Sequence, residues 1–567
     1  MGLRPRPKRI YKKRFILSDF LFMETAIQFE NVTKTFGKIV ANKDINFDVK
    51  KGEILALLGE NGSGKTTLCN MLAGIYYPDH GNIIINGEVA SIRSPFDSYK
   101  YHIGMVHQHF KLVEIFTAVE NVVLGLNPKE FKFDIKSASK KIKEICDKYG
   151  FEVDPNKKVY NMSVSEKQTL EIVKVLFRGA DILILDEPTA VLTPQESEKL
   201  FNVMRNMKAD GKSIIIITHK LQEVLSISDR VAILRKGCYI DTIETTTATT
   251  QSLTDMMVGQ KVDLNIDRPK VEHDIPLLEI RELSIKNDEG ALAIDNVSFY
   301  IRGGEILGIA GIAGCGQKEL CEAIAGLRKI ESGDINHLGK SIIGMKPKQI
   351  IDEGIAMSFI PEDRLGMGLA PSLSITDNMM LKTYKDNAWY NPFVDRKYAR
   401  NKANRLIREL EIATPSSETP VRRLSGGNVQ KVLVGREISA GPNVIVTAYP
   451  VRGLDINSSY LIYNILNEQK KKGVGVLFVG EDLDVLLGLC DKIMVLCHGK
   501  LMGVVHADKT TKEEIGLMMT GSLDLTEVKK QKNFGIAEDS FIEDKPQDFN
   551  SEALIEKFKE EGVKEDE

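Results

Sequence analysis

A glycine-rich stretch with one lysine and two threonines carries the most specific chemistry in the sequence. It reads Gly59-Glu60-Asn61-Gly62-Ser63-Gly64-Lys65-Thr66-Thr67, and it lies between an apolar run at 54–58 and a helix-like run at 68–73. Glycines let backbone N–H groups converge on phosphate oxygens, and the helix N-terminus adds partial positive charge. In such a phosphate-binding loop, Lys65 reaches the β- and γ-phosphates and Thr66 ligates Mg²⁺. The alternative, a glycine turn with a chance lysine, is disfavoured by the strand and helix around it.

Alternating strands and helices surround this loop and indicate an α/β fold. Beyond the loop lie a β-rich segment at 81–87 and two apolar runs at 182–185 and 214–217, which are typical of strands. A charged stretch at about 133–150 predicts an amphipathic helix. Three apolar positions fall on one face of this helix: Ile135, Ile142 and Ile145.

The same pattern occurs twice along the chain. Landmarks of the first half recur 262 positions later: Ser163 as Ser425, Asp186 as Ala448, and His219 as Glu481. The segment Lys51–Leu55 is echoed by Gly303–Leu307 at a smaller offset, which implies a short insertion in the second copy. A shared offset over so many landmarks indicates two copies of one domain.

Charge and proline positions divide the chain into five predicted segments. These are a basic flexible tail at 1–22, a first domain at 23–260, a linker at 261–276, a second domain at 277–522 and an acidic, mostly disordered tail at 523–567. The basic tail could instead be an over-long start, with Met23 as the true first residue.

The composition excludes several classes of protein. The net charge is −3 over 567 residues, so we expect no nucleic-acid partner. The seven cysteines form no Cys-x-x-Cys pair, which disfavours a zinc site or a disulfide framework and fits a reducing cytosol. No run approaches the roughly 18–20 apolar residues of a transmembrane helix, although a peripheral place on a membrane stays open.

The ordered motifs resemble those of a tandem ATP-binding-cassette (ABC) ATPase subunit over residues 25–521. In the first half, the phosphate loop is followed by Gln108, Asp186-Glu187 and His219 in the family's order. The second half carries 424–428, Leu-Ser-Gly-Gly-Asn, a close match to the family's signature loop. The resemblance implies two P-loop cassettes, each with a RecA-like α/β core, an antiparallel β subdomain and a helical signature subdomain.

Four segments indicate which branch of this family the chain resembles. The phrases Ile360-Pro361-Glu362-Asp363-Arg364 and Arg452-Gly453-Leu454-Asp455 are similar to those of double-cassette ATPases from monosaccharide and nucleoside importers. The segments 105–110 and 186–196 lean towards the nucleoside branch.

The resemblance assigns roles at a site for ATP and Mg²⁺. Asp186, at the end of a strand, would hold Mg²⁺ through water, with Gln108 as a further Mg²⁺ contact from a loop. Glu187 would act as the general base towards the attacking water, and His219 would bond the γ-phosphate. Phe36 would stack on adenine, and a core or edge aromatic is the alternative interpretation.

The same positions are altered in the second half. Gln317 stands in place of the phosphate-loop lysine, and Lys318 stands in place of the hydroxyl that ligates Mg²⁺. Ala448 and Tyr449 replace the two carboxylates, and Glu481 replaces the histidine. These changes remove most of the charge stabilisation that hydrolysis needs.

The signature loops are unequal in the opposite sense. In the first half, Ser165 replaces the glycine that allows a close approach to phosphate. In this family two cassettes pair head to tail, and each nucleotide lies between the phosphate loop of one and the signature loop of the other. The resemblance therefore implies that Gly59–Thr67 is completed by Ser425, Gly426 and Gly427, and that only this composite site hydrolyses ATP.

The implied function is an ATP hydrolase that energises an ABC importer of nucleosides, with a simple-sugar importer as the alternative. The implied partners are two transmembrane permease subunits and an extracytoplasmic substrate-binding (lipo)protein, which places the chain peripherally at the cytoplasmic face of the cell membrane. A soluble twin-cassette ATPase acting on ribosomes or DNA is a further hypothesis. The short linker and the altered second site disfavour it.

Overall fold

The two halves of the chain form two separate units, Met1–Asp263 and Leu264–Glu567. The computed structural model describes residues 25–108, 110–126, 135–190, 192–218, 220–261, 264, 266–270, 275–312, 314–352, 357–382 and 395–523. The predicted tail at 1–22, the predicted tail from 524 onwards and the predicted site residue His219 lie outside the described residues.

Ten strands of the first unit form one sheet, in the order β5-β4-β1-β2-β10-β9-β3-β8-β7-β6. They are β1 (Thr25–Phe36), β2 (Ile39–Lys50), β3 (Ile54–Leu58), β4 (His80–Ile85), β5 (Glu88–Ala90), β6 (Ile103–Val106), β7 (Ile182–Asp186), β8 (Ser213–Ile217), β9 (Arg230–Arg235) and β10 (Cys238–Glu244). The strands β6, β7, β8, β3 and β9 pair in parallel, whereas β1, β2, β4 and β5 pair antiparallel. Because parallel strands share a direction, the loops that follow β3, β6, β7 and β8 meet at one edge of the sheet.

The helices of the first unit pack against this sheet or against one another. They are α1 (Lys65–Leu72), α2 (Pro95–Lys100), α3 (Ala118–Val123), α4 (Ile135–Tyr149), α5 (Val164–Phe177), α6 (Pro194–Ala209), α7 (Leu221–Ile227) and α8 (Thr250–Val258). Short 3₁₀ turns occur at Val159–Asn161 and Thr245–Thr247. The α3, α5 and α6 helices each begin at a capping box, in which the N-cap hydroxyl and a glutamate three residues later satisfy each other's backbone N–H groups.

The helix predicted at about 133–150 is α4. Its buried residues are Ala138, Ile142, Cys146 and Tyr149. Ile135 is 51% exposed because it stands in the first turn, one turn before the buried stripe begins. Ile145 is only half-buried, although it lies three residues after Ile142 and four before Tyr149 on the same face.

The second unit repeats the strand order in two sheets, β12-β11-β14-β15 and β16-β17-β18-β13-β19-β20. The strands are β11 (Pro276–Lys286), β12 (Leu292–Arg302), β13 (Ile306–Ala310), β14 (Ser332–His337), β15 (Lys340–Ser341), β16 (Met357–Ile360), β17 (Val444–Ala448), β18 (Gly475–Val479), β19 (Lys492–Cys497) and β20 (Lys500–His506). The first unit joins its two sheet regions by one pairing, Cys238 with Lys43. The predicted duplication of an α/β fold is therefore confirmed.

The helices of the second unit follow the same plan. They are α9 (Gln317–Ile324), α10 (Pro347–Asp352), α11 (Ile375–Met380), α12 (Arg396–Glu409), α13 (Gly426–Ile438), α14 (Ile456–Lys471), α15 (Leu483–Leu489) and α16 (Lys512–Met519). A π-helical turn lies at Arg364–Gly368 and a 3₁₀ turn at Val421–Arg423. Within the described ranges, none of the helices combines the length and apolarity needed to cross a bilayer.

The packing of α4 can be tested with two matched substitutions. Ile142→Ala should lower the free energy of unfolding of the first unit by about 2–5 kcal/mol, because the isoleucine is fully buried and its removal leaves a cavity. Ile135→Ala, at the exposed end of the helix, should change it by no more than about 0.5 kcal/mol. Urea unfolding followed by circular dichroism measures both. Equal effects of the two substitutions would contradict this packing.

Candidate functional site

The phosphate loop lies between β3 and α1, as predicted. Gly64 precedes the helix with φ 97° and ψ 3°, a conformation that favours glycine. A β-carbon at this position would also lie 2.4 Å from the carbonyl oxygen of Ala41. The buried Asn42 donates from Nδ2 to the Gly64 carbonyl at 3.2 Å, so the neighbouring strand β2 holds the loop in place.

Lys65 folds back over the loop that carries it. Its Nζ donates to the carbonyl oxygens of Gly59 at 2.7 Å and Glu60 at 3.0 Å, and the side chain is only 9% exposed. An ammonium has three N–H donors, so two of them shape the loop and one is left for an anion. Burial lowers the pKa of Lys65, while the nearby carboxylates of Glu187 and Asp186 oppose that shift.

Asp186 and Glu187 end β7 at the same edge of the sheet. Burial and the charge of Glu187 raise the pKa of the Asp186 carboxyl to about 6, while Lys65 and a hydrogen bond from Thr66 oppose the shift. Glu187 has φ 48° and donates its backbone N–H to Ile217 O at 2.8 Å, in the adjacent strand β8. The tertiary structure therefore holds Lys65, Thr66 and both carboxylates in one electrostatic cluster.

Gln108 joins this cluster from the loop after β6. Its Nε2 donates to Oε2 of Glu187 at 2.7 Å, so the amide contacts the predicted general base directly. His219, which was predicted to bond the γ-phosphate, follows β8 but lies outside the described residues.

The residues present fit a nucleoside triphosphate with Mg²⁺. Ser63 Oγ is buried and has no hydrogen-bond partner among the described residues, so a buried donor faces the interior of the loop. Thr66 and Asp186 offer the hard oxygen ligands that Mg²⁺ prefers. The described part of the chain holds no group of three or more His, Cys, Asp or Glu that could bind a metal. Mg²⁺ commonly binds to one or two carboxylates together with phosphate and water, so Thr66 and Asp186 are sufficient ligands from the protein.

Phe36 ends β1, beside the antiparallel part of the sheet. Its side chain is 41% exposed, and its ring meets Tyr76 edge-on with centroids 5.0 Å apart. Lys34 Nζ lies 5.5 Å from the centre of the same ring. The ring is therefore not a core aromatic, and its role in stacking on adenine stays a prediction.

The phosphate loop of the second unit has the same backbone turn as the first but lacks the charged lysine. Gly316 has the φ 97° and ψ 3° of Gly64, and Gln317, 2% exposed, donates from Nε2 to Ile312 O at 3.1 Å. A neutral amide thus makes the type of contact that Lys65 makes in the first unit. Lys318 points elsewhere: 57% of its side chain is exposed, and Nζ lies 3.8 Å from Glu322 one turn along α9.

The strand ends also match in backbone and differ in chemistry. Tyr449 has φ 51° and donates its N–H to Val479 O at 3.0 Å, as Glu187 does to β8. Strand register makes Glu362 the equivalent of Gln108, because β6 and β16 pair with β7 and β17 at corresponding positions. Two carboxylates, Glu362 and Glu481, therefore stand where the first unit has Gln108 and His219.

Arg452, to which the sequence motifs assigned no role at the site, neutralises those carboxylates. Arg452 bonds Glu362 through Nη1, and its Nε lies 3.3 Å from Oε1 of Glu481. Its guanidinium also lies 5.8 Å from the ring centre of Tyr449, whose pKa is raised by burial and by the two glutamates. The segments that carry Glu362 and Arg452 were visible in the sequence only as family markers. Aligning Glu362 with Gln108 would have indicated the contact.

The two signature loops begin their helices differently. In the first unit, Ser163 Oγ accepts a hydrogen bond from the backbone N–H of Glu166, so α5 is capped by its own side chains. In the second unit, Ser425 Oγ instead accepts from Nδ2 of Asn428 at 2.8 Å, and the first N–H groups of α13 are left to other acceptors. A β-carbon at Gly427 would lie 2.8 Å from Ser458 Oγ, which explains the glycine at that position.

The raised pKa of Asp186 gives a test with a defined sign. Its folded-state pKa of about 6 lies above the ordinary aspartate value of 3.8, so ionisation of this group destabilises the nucleotide-free fold as pH rises through that window. Asp186→Asn cannot ionise, so its thermal midpoint relative to wild type should increase between pH 4 and pH 7. Thermal unfolding without nucleotide or Mg²⁺ measures this difference. A difference that stays constant with pH would contradict the raised pKa.

Comparisons with known proteins agree with this geometry. Residues 42–190 and 294–447 match the family model described as ABC transporter. The nucleoside import ATP-binding protein NupA of Lactococcus lactis is 41% identical over 505 residues, covering 88% of this chain and 98% of that protein. The guanosine import ATP-binding protein NupO of Bacillus subtilis is 43% identical over 502 residues, with the same shares.

Two more distant matches are a ribose import protein and a solved ATP-binding cassette. The ribose import ATP-binding protein RbsA 1 of Rubrobacter xylanophilus is 34% identical over 502 residues, covering 88% of this chain and 99% of that protein. The ADP conformation of MJ1267, an ATP-binding cassette of an ABC transporter, matches 42% of this chain and 99% of its own, with 24% identity and a TM-score of 0.38. The family match covers parts of both units. The chain therefore belongs to the ABC transporter family, as a tandem-cassette ATPase subunit coupled to transport.

Proposed function

We propose that the chain hydrolyses ATP to energise an importer of nucleosides, with one hydrolytic site and one site that does not hydrolyse. The observation that carries this proposal is the difference in charge between two matching backbones. The first unit clusters Lys65 with Asp186 and Glu187, whereas the second has Gln317, Ala448 and Tyr449 at those positions. Phosphoryl transfer depends on positioning and charge neutralisation, so only the first unit has the groups for it.

The hydrolytic site is proposed to be composite. The phosphate loop Gly59–Thr67 would be completed by Ser425, Gly426 and Gly427 of the second unit. The uncapped N-terminus of α13 supports this, because its backbone N–H groups and positive dipole end suit a terminal phosphate. The altered loop around Gln317 would face Ser163–Glu166, whose cap already occupies the serine hydroxyl.

The names of the relatives support the proposed substrate, and the family resemblance supports the proposed partners. NupA and NupO, whose names specify nucleoside and guanosine import, are 41% and 43% identical to this chain, against 34% for the ribose import protein. The cargo would therefore be a nucleoside. The chain would act peripherally at the cytoplasmic face of the membrane, with two permease subunits and an extracytoplasmic substrate-binding lipoprotein.

Three substitutions test the assignment of hydrolysis. In the assembled transporter, Lys65→Ala and Glu187→Gln should each lower kcat by about 100-fold or more, because each removes a group that acts on the transferred phosphoryl or on its water. Gln317→Ala is the matched control in the second unit and should stay within about twofold of wild type. Release of inorganic phosphate measures all three. Normal turnover in Glu187→Gln would overturn the proposed mechanism.

The cargo is tested separately by uptake. Cells that lack the chromosomal copy and express the wild-type chain should accumulate radiolabelled guanosine, and cells that express Lys65→Ala should not. Ribose uptake should be the same in both strains. Loss of ribose uptake with unchanged guanosine uptake would instead identify a sugar importer.

A further inference from the structure

Two segments of the second unit converge although the hydrolytic site uses neither. They are 360–364 and 452–455, which follow the strands β16 and β17. Glu362 bonds Arg452, and Arg364 donates from Nη2 to the backbone carbonyl of Arg452. With Glu481, these side chains form what we call the arginine cluster: Glu362, Arg364, Arg452 and Glu481.

The arginine cluster adjoins the intact signature loop on one side. A β-carbon at Gly426 would lie 3.7 Å from Nη1 of Arg364, an ordinary van der Waals distance, so the guanidinium lies close to that glycine. Burial lowers the pKa of Arg364, because the charged guanidinium loses hydration there. Its hydrogen bond to the Arg452 carbonyl joins the two segments beside the signature loop.

The segment that follows Arg452 supports the signature loop on its other side. Asp455 caps α14, accepting from Ser458 N and from Ser458 Oγ at 2.8 Å each. A β-carbon at Gly427 would lie 2.8 Å from Ser458 Oγ and 3.3 Å from Asp455 Oδ2. Arg364 is therefore close to Gly426, and the capped start of α14 is close to Gly427.

Among the described residues of the first unit, the positions equivalent to Arg364 and Arg452 carry no charge. Strand register places Phe110 where the second unit has Arg364, and the repeat places Ala190 where it has Arg452. The uncharged Gln108 contacts Glu187 there, and the local charge includes Lys65 and both carboxylates. The arrangement of those loops thus depends on groups that a nucleotide and Mg²⁺ would contact, whereas Arg452 balances Glu362 and Glu481 within the protein.

We propose that the arginine cluster positions the signature loop Ser425–Gly427 for the ATP held by the first unit, so that Arg364 and Arg452 are positioning residues for hydrolysis. This inference rests on the proposed composite site. The second unit would contribute a loop held by its own ion pairs, independent of any nucleotide in that unit. The altered residues at 362, 452 and 481 would then serve the hydrolytic site instead of a second one.

The test uses the full chain in its assembled transporter. Arg364→Ala and Arg452→Ala should each lower kcat/KM for ATP by about tenfold, since each removes a charged hydrogen bond that supports the loop. Binding of a fluorescent ATP analogue to the phosphate loop should stay within about twofold, because Lys65 and its loop are untouched. Arg364→Lys keeps the charge and should recover part of the loss.

Two controls make the result decisive. Arg400→Ala removes an arginine of the same unit that pairs with Glu418 at 3.0 Å outside the cluster, and it should leave hydrolysis unchanged. Thermal midpoints of all variants should match that of wild type.

The inference is overturned if Arg364→Ala and Arg452→Ala retain normal kcat/KM while Lys65→Ala is inactive. It is equally overturned if hydrolysis, nucleotide binding and thermal midpoint fall together, since that pattern indicates general loss of folding. If Lys65→Ala also remains active, the proposed function itself fails.

Discussion

The structure of the first unit depends on a buried ammonium that shares one edge of a parallel sheet with two carboxylates. Removing such charges from water is costly, and mutual attraction offsets that cost only when the groups are close and hydrogen-bonded. Lys65 meets this condition by donating to two carbonyl oxygens of its own loop. The raised pKa of Asp186 shows that its carboxyl is only partly compensated, which suits a group that would hold a metal through water.

The second unit shows which features of this edge belong to the fold and which belong to the chemistry. Gly316 repeats the backbone angles of Gly64, and Tyr449 repeats the positive φ of Glu187. These conformations persist because the loop must turn sharply between strand and helix whatever side chains it carries. The charges do not persist, and Arg452 occupies the region with its own ion pairs.

Such an arrangement would give the two copies of a duplicated cassette different roles at one site. In the proposed arrangement, the second cassette would no longer balance a nucleotide's charge and would fill that place with its own side chains. The arginine cluster would then hold the adjoining signature loop in a geometry that does not depend on ligand, and the intact glycines lie beside it. In the proposed composite site, the first unit would supply the chemistry and the second a loop held in fixed geometry.

The sequence by itself determined the duplication, the α/β character of both copies, the phosphate loop and the positions at which the second copy is altered. These are encoded locally, in glycine spacing, apolar runs and a constant offset, so they can be identified without a three-dimensional contact. Which isoleucines of α4 are buried depends on what packs against the helix, so the sequence pattern alone did not decide it. Only the tertiary structure decided that Gln108 contacts Glu187 and that Arg452 joins Glu362 to Glu481. Gln108 and Glu187 are 79 positions apart and Glu362 and Arg452 are 90 apart, and they meet because parallel strands place the loops that follow them at one edge of the sheet.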